Sequence, residues 1–364
     1  MFYVKDLKFN NFRCFKSQKF EFKPNINIII GNNGCGKTTV VEGISYLCLG
    51  KSFKNAKDKE VLAFDSEYFN IVSTIVEKEE KKIVVGYDGT QKRIKNDELV
   101  YKTLSEHVGT YKLISFCPDD LEIIKGTPSK RRNFLDVFIS QYDNLYLKTL
   151  MEYKKVLKMR NEFLKSIENN NYDQVMFEVL NEKLVQTGCR IIESREKYIK
   201  VLNNKVKEVS KRLLNNKKEI SVEYLADVDA KDFNIVIKNN LKLDILSKTT
   251  TKGPQRDDIL VNYDGNDASI YSSQGQIRIT VLAIKLAIYE LFASINSNVI
   301  IILDDVFSEL DIERQTYLME YIKNVGQVFI TTTEIDKLPI ELRNESNILE
   351  IREGVNNVWY KWKH

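Results

Sequence analysis

The segment Gly31-Asn32-Asn33-Gly34-Cys35-Gly36-Lys37-Thr38 constrains this chain more than any other stretch in it. It fits the pattern G-x-x-x-x-G-K-S/T in full. Such a loop needs a buried strand before it and a helix after it, and the flanking residues supply both. Ile26, Ile28 and Ile30 alternate and Ile29 makes the end of the run continuously apolar, so Asn25 to Ile30 reads as a buried strand. Lys37 to Leu49 reads as the helix. The glycines let the backbone wrap a phosphate chain closely, and the helix start aims its free N–H groups at it. Gly31, Asn32, Asn33, Gly34, Cys35, Gly36, Lys37, Thr38 and Thr39 are therefore expected to hold ATP. Lys37 would neutralise the β- and γ-phosphates, and the Thr38 hydroxyl would bind Mg²⁺.

A second segment suits the same chemistry. Val299-Ile300-Ile301-Ile302-Leu303 is a fully apolar strand that ends in Asp304-Asp305. The carboxyl end of a buried strand is where ligands bind in open α/β sheets. Asp304 is expected to coordinate Mg²⁺ and Asp305 to polarise an attacking water; an acidic pair after a strand also serves simply as a helix N-cap. Two further pieces follow in register with this pair. Ser272-Ser273-Gln274-Gly275-Gln276 precedes a helical stripe of Ile277, Val281, Ile284, Ala287, Ile288 and Leu291, and Ser308-Glu309-Leu310-Asp311 lies just after the carboxylates. By itself the Ser-Ser-Gln-Gly-Gln stretch is an ordinary helix-capping turn.

Composition removes several classes. With only two histidines, His107 and His364, multi-histidine metal centres are excluded and imidazole is not expected to be central. Five cysteines stand singly, without a C-x-x-C pair, as in a reduced cytoplasmic protein. No signal segment is visible, and the longest apolar runs are far short of the roughly 20 residues that span a bilayer, so no membrane association is expected. The net charge of +4 says little, because the basic residues are clustered. Lys51, Lys54, Lys57 and Lys59 follow the phosphate-loop helix, Lys130 to Arg132 form a second group, and nine basic residues run from Arg195 to Lys218. Clusters of this kind make sequence-independent phosphate contacts, although any one of them is more often a solvated helix face. Lys51, Lys54 and Lys57 are the candidates for DNA.

Hydrophobic periodicity sets the organisation. Tyr68 to Val76, Lys82 to Tyr87 and Lys92 to Lys95 alternate between turn signals, which suggests an antiparallel meander. From Arg131 to about Leu214 there is no proline and one glycine, Gly188. Apolar residues there recur at three and four, with a turn expected at Asn169 to Asn171. Strand-like sequence returns near Gly253. The expected fold is an α/β P-loop head, residues 1–120 and 250–364, with an antiparallel β subdomain and an inserted, mainly helical lobe, residues 121–249.

In chain order with the phosphate loop and the Asp-Asp strand, residues 272–276 resemble the signature loop of ABC-type ATPases and residues 308–311 their D-loop. That resemblance implies that Ser273, Gln274, Gly275 and Gln276 reach ATP held by a second copy, so that ATP drives a homodimer. A transporter cassette would carry a switch histidine where Thr331-Thr332-Thr333 stands. An SMC-type ATPase would separate Thr38 from Ser273 by long coiled-coil arms. The chain instead resembles the RecF family of bacterial recombination-repair proteins along nearly its whole length. The resemblance rests on Leu7 to Arg13, the phosphate loop, Gly50-Lys51-Ser52-Phe53-Lys54, Phe116 to Leu121, Gly126 to Asp136, Gly253 to Asp258, Ser273 to Gln276 and Asp304 to Asp311. Gln255, where the family usually has His, and Ile277, where Gln is common, depart from it. The resemblance implies a weak, DNA-stimulated ATPase with Arg13 near the nucleotide. It implies recognition of gapped or duplex DNA, and RecA loading on single strands together with RecO and RecR.

Overall fold

The computed structural model describes residues 2–167, 172–295, 299–323 and 326–352. The chain divides into two compact units. One contains Met1–Asp120 and the residues from Tyr289 on, and the other is Leu121–Ile288.

The first unit begins with strands β1 (Tyr3–Val4), β2 (Asp6–Phe12), β3 (Phe15–Glu21) and β4 (Ile26–Ile30), then helix α1 (Lys37–Leu49). Strands β5 (Phe69–Val76), β6 (Glu80–Tyr87), β7 (Lys92–Asn96), β8 (Leu99–Tyr101) and β9 (Lys112–Phe116) follow. The expected meander forms: the strands order as β3-β2-β5-β6-β7-β8, antiparallel throughout, with β1 added on β5. Its alternation is period two, with Leu7 and Phe9 buried and Lys8 exposed. Phe9 stacks on Phe12 with ring centroids 5.3 Å apart and meets Phe20 edge-on. A Cβ on Gly43 of α1 would run into the Phe9 ring, so the glycine is what lets the helix lie close on the sheet.

In the second unit, α2 (Pro128–Tyr142), α3 (Asn144–Ser166) and α4 (Gln174–Leu213) supply the expected helices. The buried stripe of α4 runs through Leu180, Leu184, Ile191, Tyr198, Leu202, Val206, Val209 and Leu213, and packs along α3. Gly188 leaves room for the ring of Phe233. The turn expected at Asn169 to Asn171 lies outside the described residues. The lobe is not helical alone. Strands β10 (Ile220–Leu225), β11 (Asp258–Tyr263) and β12 (Asn266–Asp267) form an antiparallel sheet, followed by α5 (Gln274–Ser294). This places residues 250–288 with the lobe rather than with the head. The cause is a pairing that periodicity does not reveal: β11 runs beside all of β10, from Ile220↔Tyr263 to Leu225↔Asp258.

Back in the first unit, β13 (Val299–Asp304), α6 (Ile312–Ile322), β14 (Gln327–Thr332) and β15 (Asn347–Glu350) complete a five-stranded parallel sheet. Its order is β15-β4-β14-β13-β9. All six residues of β13 are buried, the five of its apolar run and Asp304 at its end. Among the described residues no helix is long and apolar enough to cross a membrane.

Candidate nucleotide site

The strand order places three chain segments side by side. In the parallel sheet β14 lies between β4 and β13, with Thr332 opposite Ile30 and Thr331 opposite Asp304. The carboxyl ends of these strands deliver the phosphate loop, Thr331 and Asp304 to one edge, where open α/β sheets bind ligands. Gly34 and Gly36 have φ of +85° and +105°, a region that side chains resist. A Cβ on Gly36 would also lie 2.7 Å from the Phe15 ring, and one on Gly31 would lie 2.5 Å from both Cys35 Sγ and the Ile351 carbonyl. Lys37 is 5% exposed and donates to the carbonyls of Gly31 (2.8 Å) and Asn32 (3.0 Å). The loop is thus wound around its own lysine.

Thr38 donates to Asp304 Oδ1 at 2.9 Å. Thr331 donates to the same oxygen at 2.7 Å and accepts from the Asp305 N–H at 3.1 Å. In the sequence Thr331 is marked only by standing where a switch histidine would be. It is the bracket that orients both aspartates. Asp305 has φ +56°, a left-handed conformation uncommon for a residue other than glycine. Burial, followed by the neighbouring charge of Asp304, raises its carboxyl above the usual range, against the opposing pull of Lys37 and Lys54. Thr38 and Asp304 provide oxygen donors from two residues. This suits Mg²⁺, which keeps much of its shell as water and phosphate oxygen. No cluster of three His, Cys, Asp or Glu that would form an all-protein metal site occurs among the described residues.

Arg13 lies in the β2–β3 turn at φ +53°. Its guanidinium forks onto Glu42 of α1, at 2.9 and 2.8 Å, and donates to the Glu60 carbonyl. It is committed to the helix that follows the loop, while the adjacent Cys14 reaches Thr39, Sγ to Oγ1 3.7 Å. Glu42 was not anticipated. It is buried, accepts from Ser52 as well (2.5 Å), and stands as a lone charge in the apolar run Val40 to Ile44, the one signal that would have singled it out.

The same bonds pin the segment after α1. Ser45 donates to the Lys51 carbonyl and the Lys54 N–H donates to Ser52. Held in this way, Lys54 places Nζ 3.6 Å from Asp304 Oδ2. A residue expected to face DNA therefore also faces the carboxylate expected to hold the metal. Lys57 is exposed.

Residues 273–276 start α5 in the lobe as a capping box: the Ser273 N–H donates to Gln276 Oε1 (2.8 Å) and the Gln276 N–H to Ser273 Oγ (3.3 Å). Gly275 is open, with nothing near where a Cβ would stand. Of the basic run 195–218, Arg195 is corrected outright. It is buried and donates to Asp136, Asp257, the Pro254 carbonyl and Tyr146. Lys200, Lys205, Lys207 and Lys218 pair with acids. Arg131 pairs with Asp258, and Lys130 with Glu122. Gln255 accepts from Tyr153 and donates to the carbonyls of Thr250 and Lys252, which ties that turn to α3.

Residues 6–221 match the AAA domain family. The DNA replication and repair protein RecF of Streptococcus pneumoniae is 38% identical over 98% of this chain and 99% of its own. The chain belongs to the RecF family. A solved RecF, described as the recombination mediator protein RecF-ATP in the RecFOR pathway, superposes with a TM-score of 0.90 at 32% identity. That superposition covers 99% of this chain and 98% of the other. An Smc head domain derived from Pyrococcus yayanosii shares the fold at 14% identity with a TM-score of 0.56, covering 99% of this chain and 97% of that one. The chain thus shares the fold of an Smc head domain.

Proposed function

We propose that this RecF-family protein is an ATP-hydrolysing switch of recombinational DNA repair that dimerises on ATP and binds gapped or duplex DNA. The observation that carries this reading is the contact between Thr38 and Asp304, 266 residues apart in sequence and 2.9 Å apart in space. It joins the phosphate loop to the carboxylate strand in the arrangement that ATP hydrolysis requires. Lys37 exchanges the carbonyls of Gly31 and Asn32 for phosphate oxygens when ATP enters. Thr38 and Asp304 would hold Mg²⁺, which would supply charge neutralisation on the phosphates. Asp305, its carboxyl raised in pKa, orients a water and accepts its proton. Ser273, Gln274, Gly275 and Gln276 of a second copy satisfy the γ-phosphate oxygens and make dimerisation depend on ATP.

The solved relative bound to ATP supports the ligand, and its place in the RecFOR pathway supports RecO and RecR as partners. In that setting the protein is cytoplasmic, and slow, DNA-stimulated turnover times its release after RecA is loaded on single strands. Lys51, Lys54 and Lys57 meet DNA beside the nucleotide, and the contact of Lys54 with Asp304 links the two. Nucleotide binding and turnover test the reading. Lys37→Ala loses ATP binding, while Asp304→Asn binds ATP but loses Mg²⁺-dependent turnover. ATP affinity unchanged in Lys37→Ala would overturn it.

A further inference from the structure

The outward face of the large antiparallel sheet has a charge pattern that the ATPase chemistry does not use. The register builds one row across it, Lys19↔Lys8↔Val72↔Val84↔Lys95. A second row beside it runs Ser17↔Asn10↔Asn70↔Gly86↔Arg93. Neither row contains an acid. The acids of this face flank these rows: Asp88, just beyond Gly86, pairs with Arg93 at 3.7 Å, and on the other side Glu21 stands opposite Asp6, which accepts from the Thr74 N–H. Cations thus predominate in these two rows, in the half of the face toward the β2–β3 turn that touches the phosphate-loop helix at Thr39.

Two details resist a purely structural account. Lys8 and Lys19 are directly opposed like charges, a pairing that weakens a sheet. Glu21, 2.7 Å from Lys19, eases it. The centre of the face is uncharged: Gly86 brings no side chain, with Asn70 Oδ1 2.7 Å from where a Cβ would stand, and Val72 and Val84 are half-buried. A flat neutral strip framed by cations costs little to desolvate against a polyanion.

The dimensions suit a duplex. Lys8 on β2 and Lys95 on β7 are three strand spacings apart, about 14 Å, comparable with a major groove about 12 Å wide.

The geometry points to this half of the sheet as a docking face for the backbone of duplex DNA, with Lys8 and Lys95 contacting phosphates on either side of one groove. The inference rests on the DNA-binding reading above and assigns it a surface. The test is fluorescence anisotropy of a labelled duplex over a salt series, using the full chain with ATP and Mg²⁺. The Lys8→Gln/Lys95→Gln variant weakens binding at least tenfold and lowers the slope of log affinity against log salt by about 2, one for each lost phosphate contact. ATP turnover without DNA and the thermal midpoint stay as in the unmodified protein. Lys82→Gln, on the same face among the acids, has a much smaller effect. Equal affinity and slope in the double variant, or an equal loss in Lys82→Gln, would overturn the assignment. An unmodified protein without duplex affinity would overturn the DNA-binding reading itself.

Discussion

Gly36 shows how tightly single residues hold the site. Its φ of +105° and the Phe15 ring 2.7 Å from an added Cβ leave no place for alanine. Gly36→Ala introduces about 1–3 kcal/mol of backbone strain and pushes the loop off its lysine. ATP affinity falls by roughly tenfold or more, read by titration with a fluorescent nucleotide; an unaltered affinity would mean that the loop does not cradle phosphate. His107 is a second constrained residue. It is fully buried, donates one bond from Nε2 to the Leu47 carbonyl, and has its pKa lowered chiefly by burial, against a smaller opposing effect of that bond. A depressed pKa means that the folded state binds the proton less readily than the unfolded chain. The stability tied to neutral His107 is full above its ordinary value of about 6.5 and is lost as pH falls below it. Thermal midpoints at about pH 7.5 and about pH 5.5 check this, with His107→Gln losing less on acidification than the unmodified protein. The scarcity of histidine hinted that imidazole was not catalytic, but only the structure shows that His107 is a packing residue.

At the scale of elements, the boundaries set by strong local patterns were legible. Lys37–Leu49 and Val299–Asp304 follow directly from a phosphate-loop motif and an unbroken apolar run. What pairs with what was not. The β10–β11 pairing carries residues 250–288 into the lobe, and Arg195 appeared in sequence as one more cation on a solvated helix. Charge alone cannot reveal burial, because the compensating acids Asp136 and Asp257 are each about 60 residues away. The same distance explains the motifs Gly126 to Asp136 and Gly253 to Asp258: Arg131 pairs with Asp258, and Arg195 joins Asp136 to Asp257. They hold the lobe together. Arg195→Leu strands two buried carboxylates and costs about 3–5 kcal/mol, visible in chemical denaturation. A loss below about 1 kcal/mol would show that water satisfies the acids.

For the molecule as a whole, the phosphate loop, Asp304 and Asp305 lie in one unit, while the stretch Ser273 to Gln276 belongs to the other. The resemblance of that stretch to an ABC-type signature loop implies that these pieces cooperate across two copies. The chain's own site, with Lys37 turned onto backbone carbonyls and Thr38 on Asp304, is built to receive a nucleotide's phosphates. If ATP bound there assembles the dimer, as proposed, sedimentation velocity with and without ATP and Mg²⁺ reads it out. A monomer is expected without nucleotide and a dimer with ATP. Lys37→Ala remains monomeric because it does not bind ATP, and Ser273→Arg remains monomeric although it does. A protein that stays monomeric with ATP, or one whose Ser273→Arg variant dimerises as readily as the unmodified chain, would contradict it.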